Sequence, residues 1–191
     1  IMFVSDKDKF IFFHTPKVAG SSIHIFFKDY YRLTGVERAD PSPAIHHMSA
    51  KKFLDNNPNK KDYFKFAFVR NPFDRFVSAY SDFTQIRNLN LTSFKDFCKS
   101  FPDSEFSADI HWIPQHKLLC DDETIVPDFI GRYENISDDL KKISNIIGFD
   151  INIDHHRKTK RKSYKDTYDD ESREIIQDFF SKDLELFEYL F

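Results

Sequence analysis

Glycine and cysteine are both scarce in this chain, with 4 and 2 among 191 residues. With so little glycine and 23 Phe and 8 Tyr to place, the core has to be filled by large rings. The cysteines, Cys98 and Cys120, are separated by 21 residues and belong to no CxxC or Cys/His pair of zinc type. That argues against a disulfide framework and against a structural zinc site. No apolar run approaches the roughly 20 residues that cross a bilayer. The opening Ile1-Met2-Phe3-Val4-Ser5-Asp6-Lys7 lacks the layout of a signal peptide. There is no internal repeat and no low-complexity tract. A formal net charge of −3 argues against a general nucleic-acid surface and leaves room for local basic clusters. The length suits one domain with a full core, spanning residues 1–191.

The most informative stretch runs from Phe10 to Ile23. Phe10-Ile11-Phe12-Phe13 is a short continuous apolar run, as expected of a parallel strand buried on both faces. His14-Thr15-Pro16-Lys17-Val18-Ala19-Gly20 then reads as a turn. Ser21 is placed to cap a helix carrying Ile23, Phe26, Phe27 and Tyr30 at helical spacing and ending near Gly35. The first N–H groups of that helix, its dipole and the Lys17 ammonium together favour an anion in the turn. An isolated turn lysine is ordinarily solvated; here it stands between a buried strand and a Gly-Ser-Ser helix start. Because Lys17 precedes the glycine and no glycine opens the loop, the stretch departs from the G-x-x-x-x-G-K-[ST] pattern, which weakens a kinase or ATPase reading.

A second junction of the same kind follows. Tyr63 to Val69 reads as a central strand, and it leads through Arg70-Asn71 into Pro72, well suited to the first position of a helix bearing Phe73, Phe76, Val77 and Tyr80 on one face. Ser78 falls off that face, near Asp74 and Asp82, and is expected to meet ligand or water. Each junction places a cation beside a helix N-terminus at the carboxyl edge of a parallel sheet, where open α/β sheets bind ligands. Between the junctions, the two-proline stretch Glu37 to Pro43 reads as a loop delivering His46 and His47, and Ser49 caps a short helix to about Asn56. Further on, the pattern predicts a helix over 92–101, a loop over 102–107, an unassigned segment over 109–116, a third strand over 128–134 and a helix Ile136–Ile147 closed by Gly148. The basic run 155–163 comes next. A long amphipathic helix or pair from Asp169 to the C-terminus ends the chain.

Pro16-Lys17-Val18-Ala19-Gly20-Ser21-Ser22 resembles the 5′-phosphosulfate loop of sulfotransferases. Phe68 to Tyr80, with Arg70 and Ser78 eight residues apart, is similar to their 3′-phosphate motif. The likeness is strongest to the carbohydrate sulfotransferases of the heparan sulfate 2-O-sulfotransferase group and their bacterial counterparts. It implies an α/β fold, a single domain with a central, mainly parallel sheet flanked by helices, of P-loop-like sulfotransferase type. It implies 3′-phosphoadenosine 5′-phosphosulfate as co-substrate and no metal. By this resemblance Lys17 is catalytic and contacts the bridging oxygen of the leaving phosphate. Gly20, Ser21 and Ser22 bind the 5′-phosphosulfate, Arg70 and Ser78 hold the 3′-phosphate, and Arg161 and Ser163 of the basic run assist.

The acceptor hydroxyl needs a base, and histidine titrates in the right range. His14, His46, His47, His111 and His116 compete. The order His47-Met48-Ser49 resembles the family segment that carries the catalytic histidine, which favours His47, with His46 second and Glu37 a third alternative. The resemblance implies a hydroxyl acceptor, most readily a carbohydrate, and no nucleic-acid partner. A noncatalytic module binding phosphorylated or sulfated ligands at the same helix termini is the alternative. Low cysteine content and the missing signal lead to the expectation of a cytoplasmic enzyme of bacterial type. A trimmed Golgi-lumenal domain is the alternative there.

Overall fold

The computed structural model describes residues 2–33, 48–153 and 162–191. Its strands are β1 (Phe3–Ser5), β2 (Phe10–Phe13), β3 (Phe64–Val69), the short hairpin pair β4 (Cys120–Asp121) and β5 (Thr124–Ile125), and β6 (Phe129–Arg132). Its helices are α1 (Gly20–Leu33), α2 (Ala50–Asn56), α3 (Pro72–Ser81), α4 (Phe94–Ser100), α5 (His116–Leu119), α6 (Ile136–Ile147), α7 (Asp170–Phe179) and α8 (Ser181–Leu186). The chain forms two compact units, residues 1–69 with 115–156 and residues 70–114 with 157–191.

In the first unit β1, β2, β3 and β6 form a four-stranded sheet in that order. β2, β3 and β6 run parallel, as expected of an α/β fold, and β1 is antiparallel to β2. The strand β1 was not foreseen: at three residues it is too short to show a period. Alternation along β2 and β3 sends Phe10, Phe12, Phe66 and Phe68 to one face. There they pack with Phe3, with Ile23, Phe27 and Tyr31 of α1, and with Ile136, Leu140 and Ile143 of α6. Phe12 stacks on Phe66 across the parallel pair at 5.2 Å. The opposite face is buried as well, Phe13 meeting Phe53 of α2 edge to face at 6.0 Å. Burial on both faces explains why these strands read as apolar runs without alternation. Gly131 of β6 lies opposite Phe68, and a Cβ there would stand 2.4 Å from the ring, so the glycine makes room for it. Ser49 caps α2, its Oγ accepting from Lys52 N at 3.4 Å, and Gly148 closes α6 at φ +86°.

The second unit is helical and built around Trp112, 1% exposed, with Phe76 at 4.8 Å, Phe97 at 5.2 Å and Phe101 at 5.6 Å. Ile176 and Phe180 complete that core. Several expectations need correction here. The helix predicted over 92–101 is α4, two residues shorter at its start, because Ser93 caps it through Asp96 N at 3.2 Å. The loop predicted over 102–107 contains two 3₁₀ turns, Phe101–Asp103 and Glu105–Ala108. The C-terminal stretch, expected as a helix or a pair, is a pair, α7 and α8, broken at Phe180, which leaves helical geometry at φ −103°, ψ 17°. Glu37, His46, His47 and Arg161 lie outside the described residues.

Candidate active site

The turn after β2 is held by its own chemistry. Thr15 is fully buried, and its hydroxyl donates to the carbonyl of Phe68, fastening the turn to β3. Val18 is likewise fully buried in the aromatic core. Between and after these anchors Lys17 and Ala19 take left-handed backbone angles, φ 70° and 61°. Each costs a non-glycine residue about 1–2 kcal/mol, a kind of strain found at ligand clamps and active sites.

Ser21 is not the cap expected from sequence. α1 begins two residues earlier than a Ser21 cap implies, at Gly20, and the Ala19 carbonyl takes its first bonds, from Ser22 N at 3.0 Å and Ile23 N at 3.2 Å. Ser21 is exposed in the first turn, whereas Ser22 is only 5% exposed. The first turn contains no acidic residue, so nothing on the helix itself opposes an anion at its positive end.

The second unit opens with Arg70, the residue after β3. Arg70 is 5% exposed and binds Asp74 one turn on, with Nε and Nη2 at 2.8 and 2.7 Å from the same carboxylate oxygen. Asn71 caps α3, Oδ1 accepting from Phe73 N at 3.0 Å, while its amide donates to the Leu190 carbonyl at 2.7 Å. Pro72 occupies the first turn as predicted. Ser78 is 7% exposed, contrary to the expectation of an open position, because nearly all of α3 is buried. Arg75 is 1% exposed; burial presses its guanidinium down to about 10, with Asp183 opposing the shift and Arg70 adding to it. Asp183 is fully buried.

Ser163 is exposed and caps a 3₁₀ turn, accepting from Lys165 N at 3.3 Å. His111 is bound on both ring nitrogens, Nδ1 to Asp109 at 2.8 Å and Nε2 to Arg87 at 2.8 Å. Among the described residues no group of three or more His, Cys, Asp or Glu could hold a metal ion, and no helix is long and apolar enough to cross a membrane.

The profile of the sulfotransferase family matches residues 2–190, across both units. The chain belongs to the sulfotransferase family. Individual relatives agree. The human carbohydrate sulfotransferase 14 is 29% identical over 171 residues, covering 73% of this chain and 44% of its own length. Human carbohydrate sulfotransferase 9 is 24% identical over 98% of this chain and 53% of its own length. An uncharacterised protein of Archaeoglobus fulgidus is 32% identical over 60% of this chain and 87% of its own. The chain thus spans about half the length of the named relatives. No solved structure matches significantly.

In this chain the described part of the predicted site falls into two groups. Lys17, Gly20, Ser21 and Ser22 come together in the first unit; Arg70 and Ser78 lie in the second, two helical turns apart along α3 and its approach. Three supporting residues were not singled out from sequence. The Arg70–Asp74 spacing of four was a readable signal. Thr15 and Asn71 were not readable, since their partners Phe68 and Leu190 are 53 and 119 residues away.

Proposed function

We propose that this chain moves a sulfuryl group from 3′-phosphoadenosine 5′-phosphosulfate to a carbohydrate hydroxyl, acting as one domain over residues 1–191. The observation that carries the reading is the strained turn delivering Lys17 to the start of α1, because it supplies a cation, first-turn N–H groups and a dipole with no acidic residue in that turn. The 5′-phosphosulfate fits that donor set. Gly20 and Ser21 offer backbone N–H groups and Ser21 and Ser22 hydroxyls. Arg70, with Ser78, is assigned the 3′-phosphate, and Arg161 and Ser163 a supporting role there by the family resemblance.

In the step itself the acceptor oxygen attacks sulfur in line while the bond from sulfur to the bridging phosphate oxygen breaks. Adenosine 3′,5′-bisphosphate leaves. Lys17 stabilises the charge growing on the bridging oxygen, and a base takes the acceptor proton. The protein's contribution is therefore positioning and charge stabilisation. His47 is the proposed base, with His46 and Glu37 behind it, on the order His47-Met48-Ser49 just ahead of α2. The carbohydrate acceptor is supported by the names of the human relatives.

A radiolabelled-sulfate transfer assay on wild type, Lys17→Ala and His47→Ala tests this. Transfer by the wild type and a loss of about 10²–10³-fold in each variant is expected. Full activity in both variants sinks the mechanism. Donor binding by the wild type without transfer to any carbohydrate would instead favour the binding-module alternative.

A further inference from the structure

Gly20 is the first residue of α1, and its φ lies outside the left-handed range, so its conformation does not call for glycine. Space does. A Cβ on Gly20 would stand 1.7 Å from Cδ2 and 2.1 Å from Nε2 of His14, far inside contact distance. The Nε2–Cδ2 edge of the imidazole therefore lies directly on the Gly20 backbone. His14 is the residue after β2, half-buried, with its ring centroid 6.1 Å from that of Phe12.

The turn between His14 and Gly20 is consequently secured at three points. The Thr15 hydroxyl fastens its entry to β3, Val18 pins its middle into the core, and the His14 ring sets how closely its exit approaches its entry. The two left-handed residues, Lys17 and Ala19, lie between these points. Left-handed angles are disfavoured for residues with a Cβ and persist only where the surroundings hold them.

We infer that His14 is a positioning residue for the sulfuryl donor: its imidazole occupies the space Gly20 leaves and holds the Lys17–Ala19 backbone in the form that aims Lys17 and the first N–H groups of α1. This rests on the donor reading proposed above. The ring is assigned no proton transfer. Its effect passes through Lys17, where a displacement of about 1 Å can cost up to about 100-fold in rate.

The test is a mutational cycle on the full chain with His14→Ala, His14→Gln, Gly20→Ala and the double variant Gly20→Ala/His14→Ala. The readouts are kcat, donor KM, adenosine 3′,5′-bisphosphate binding by calorimetry, and melting temperature. His14→Ala lowers kcat about tenfold with donor KM changed less than about threefold, and His14→Gln restores part of the rate. Gly20→Ala alone is worse, by about 100-fold, because its methyl meets the ring. Removing the ring in the double variant brings the rate back to that of His14→Ala, a strongly non-additive cycle. Wild-type kcat in His14→Ala overturns the inference, as does a double variant showing the product of the two single losses. A loss confined to KM, or one tracking a fallen melting temperature, assigns His14 a merely structural role and overturns it too. Absence of bisphosphate binding and transfer in the wild type overturns the donor reading itself, and the positioning role falls with it.

Discussion

The two units present their candidate-site cations in different ways. In the first, the charge-bearing turn is built from backbone: left-handed angles at Lys17 and Ala19, a helix start, and a first turn with no acidic residue. In the second, the cations are side chains already matched to carboxylates inside the fold. Arg70 is bound to Asp74, and the fully buried Asp183 acts on Arg75. A backbone site costs local strain. A side-chain site of buried cations needs internal counter-charges to exist at all, because an unneutralised buried charge is costly. Substitutions in the first unit's turn should therefore change activity more than stability, and those in the second unit should do the reverse or both.

The hardest strike at this contrast is Arg75→Leu. It removes a buried cation whose charge acts on the fully buried Asp183, and we expect a loss of about 3–5 kcal/mol in urea unfolding. Lys17→Ala, by comparison, is expected to leave the urea midpoint unchanged while abolishing most transfer; a large destabilisation there would end the distinction. Next in size, Arg70→Ala removes the side chain proposed to hold the 3′-phosphate. Adenosine 3′,5′-bisphosphate affinity should fall about 10–100-fold in calorimetry, and unaltered affinity would remove Arg70 from the donor site.

A pH dependence sharpens the comparison further. Asp169 caps α7 and faces Lys95 at 2.6 Å; these bonds, Lys95 first and Ser172 next, hold its carboxyl well below the usual carboxylate range. A depressed folded pKa contributes stability above the unfolded value of about 3.9 and loses it as pH falls through and below that value. Melting temperature should thus drop on acidification below about pH 4, and less steeply in Asp169→Asn. Equal slopes would exclude Asp169 as a source of acid sensitivity. The smallest effect belongs to Ser163→Ala, which removes a side-chain cap at a cost of about 0.5–1 kcal/mol. A larger fall in bisphosphate affinity than in stability would show that Ser163 serves the donor as well as the cap.

Much of the fold was readable locally. Phe10–Phe13 and Phe64–Val69 emerge as buried strands, and Pro72, Ser49, Asp169 and Gly148 mark helix ends where they were expected. These features depend on residues within one or two turns of each other, which is the range over which periodicity and capping operate. Readings failed where the folded backbone or a distant neighbour intervened. The helix start falls to Ala19 and Gly20 rather than to Ser21, and Ser78 is covered because α3 buries more than one face. Of the candidate site, the cations and helix starts around Lys17, Gly20, Ser22 and Arg70 were legible as a pattern, whereas the structural contacts of Thr15, Asn71 and Asp183 were not.

By itself, then, the sequence determined the strand-turn-helix character of both junctions and the family to which they point, since these rest on short-range spacing and composition. The tertiary structure alone decided why residue 20 must lack a side chain, how the turn bearing Lys17 is fastened, and where the neighbours of Arg75 come from. The reason is physical: a ring against a backbone, a hydroxyl on the next strand's carbonyl and a carboxylate more than a hundred residues on depend on where the folded chain returns. No local period encodes that.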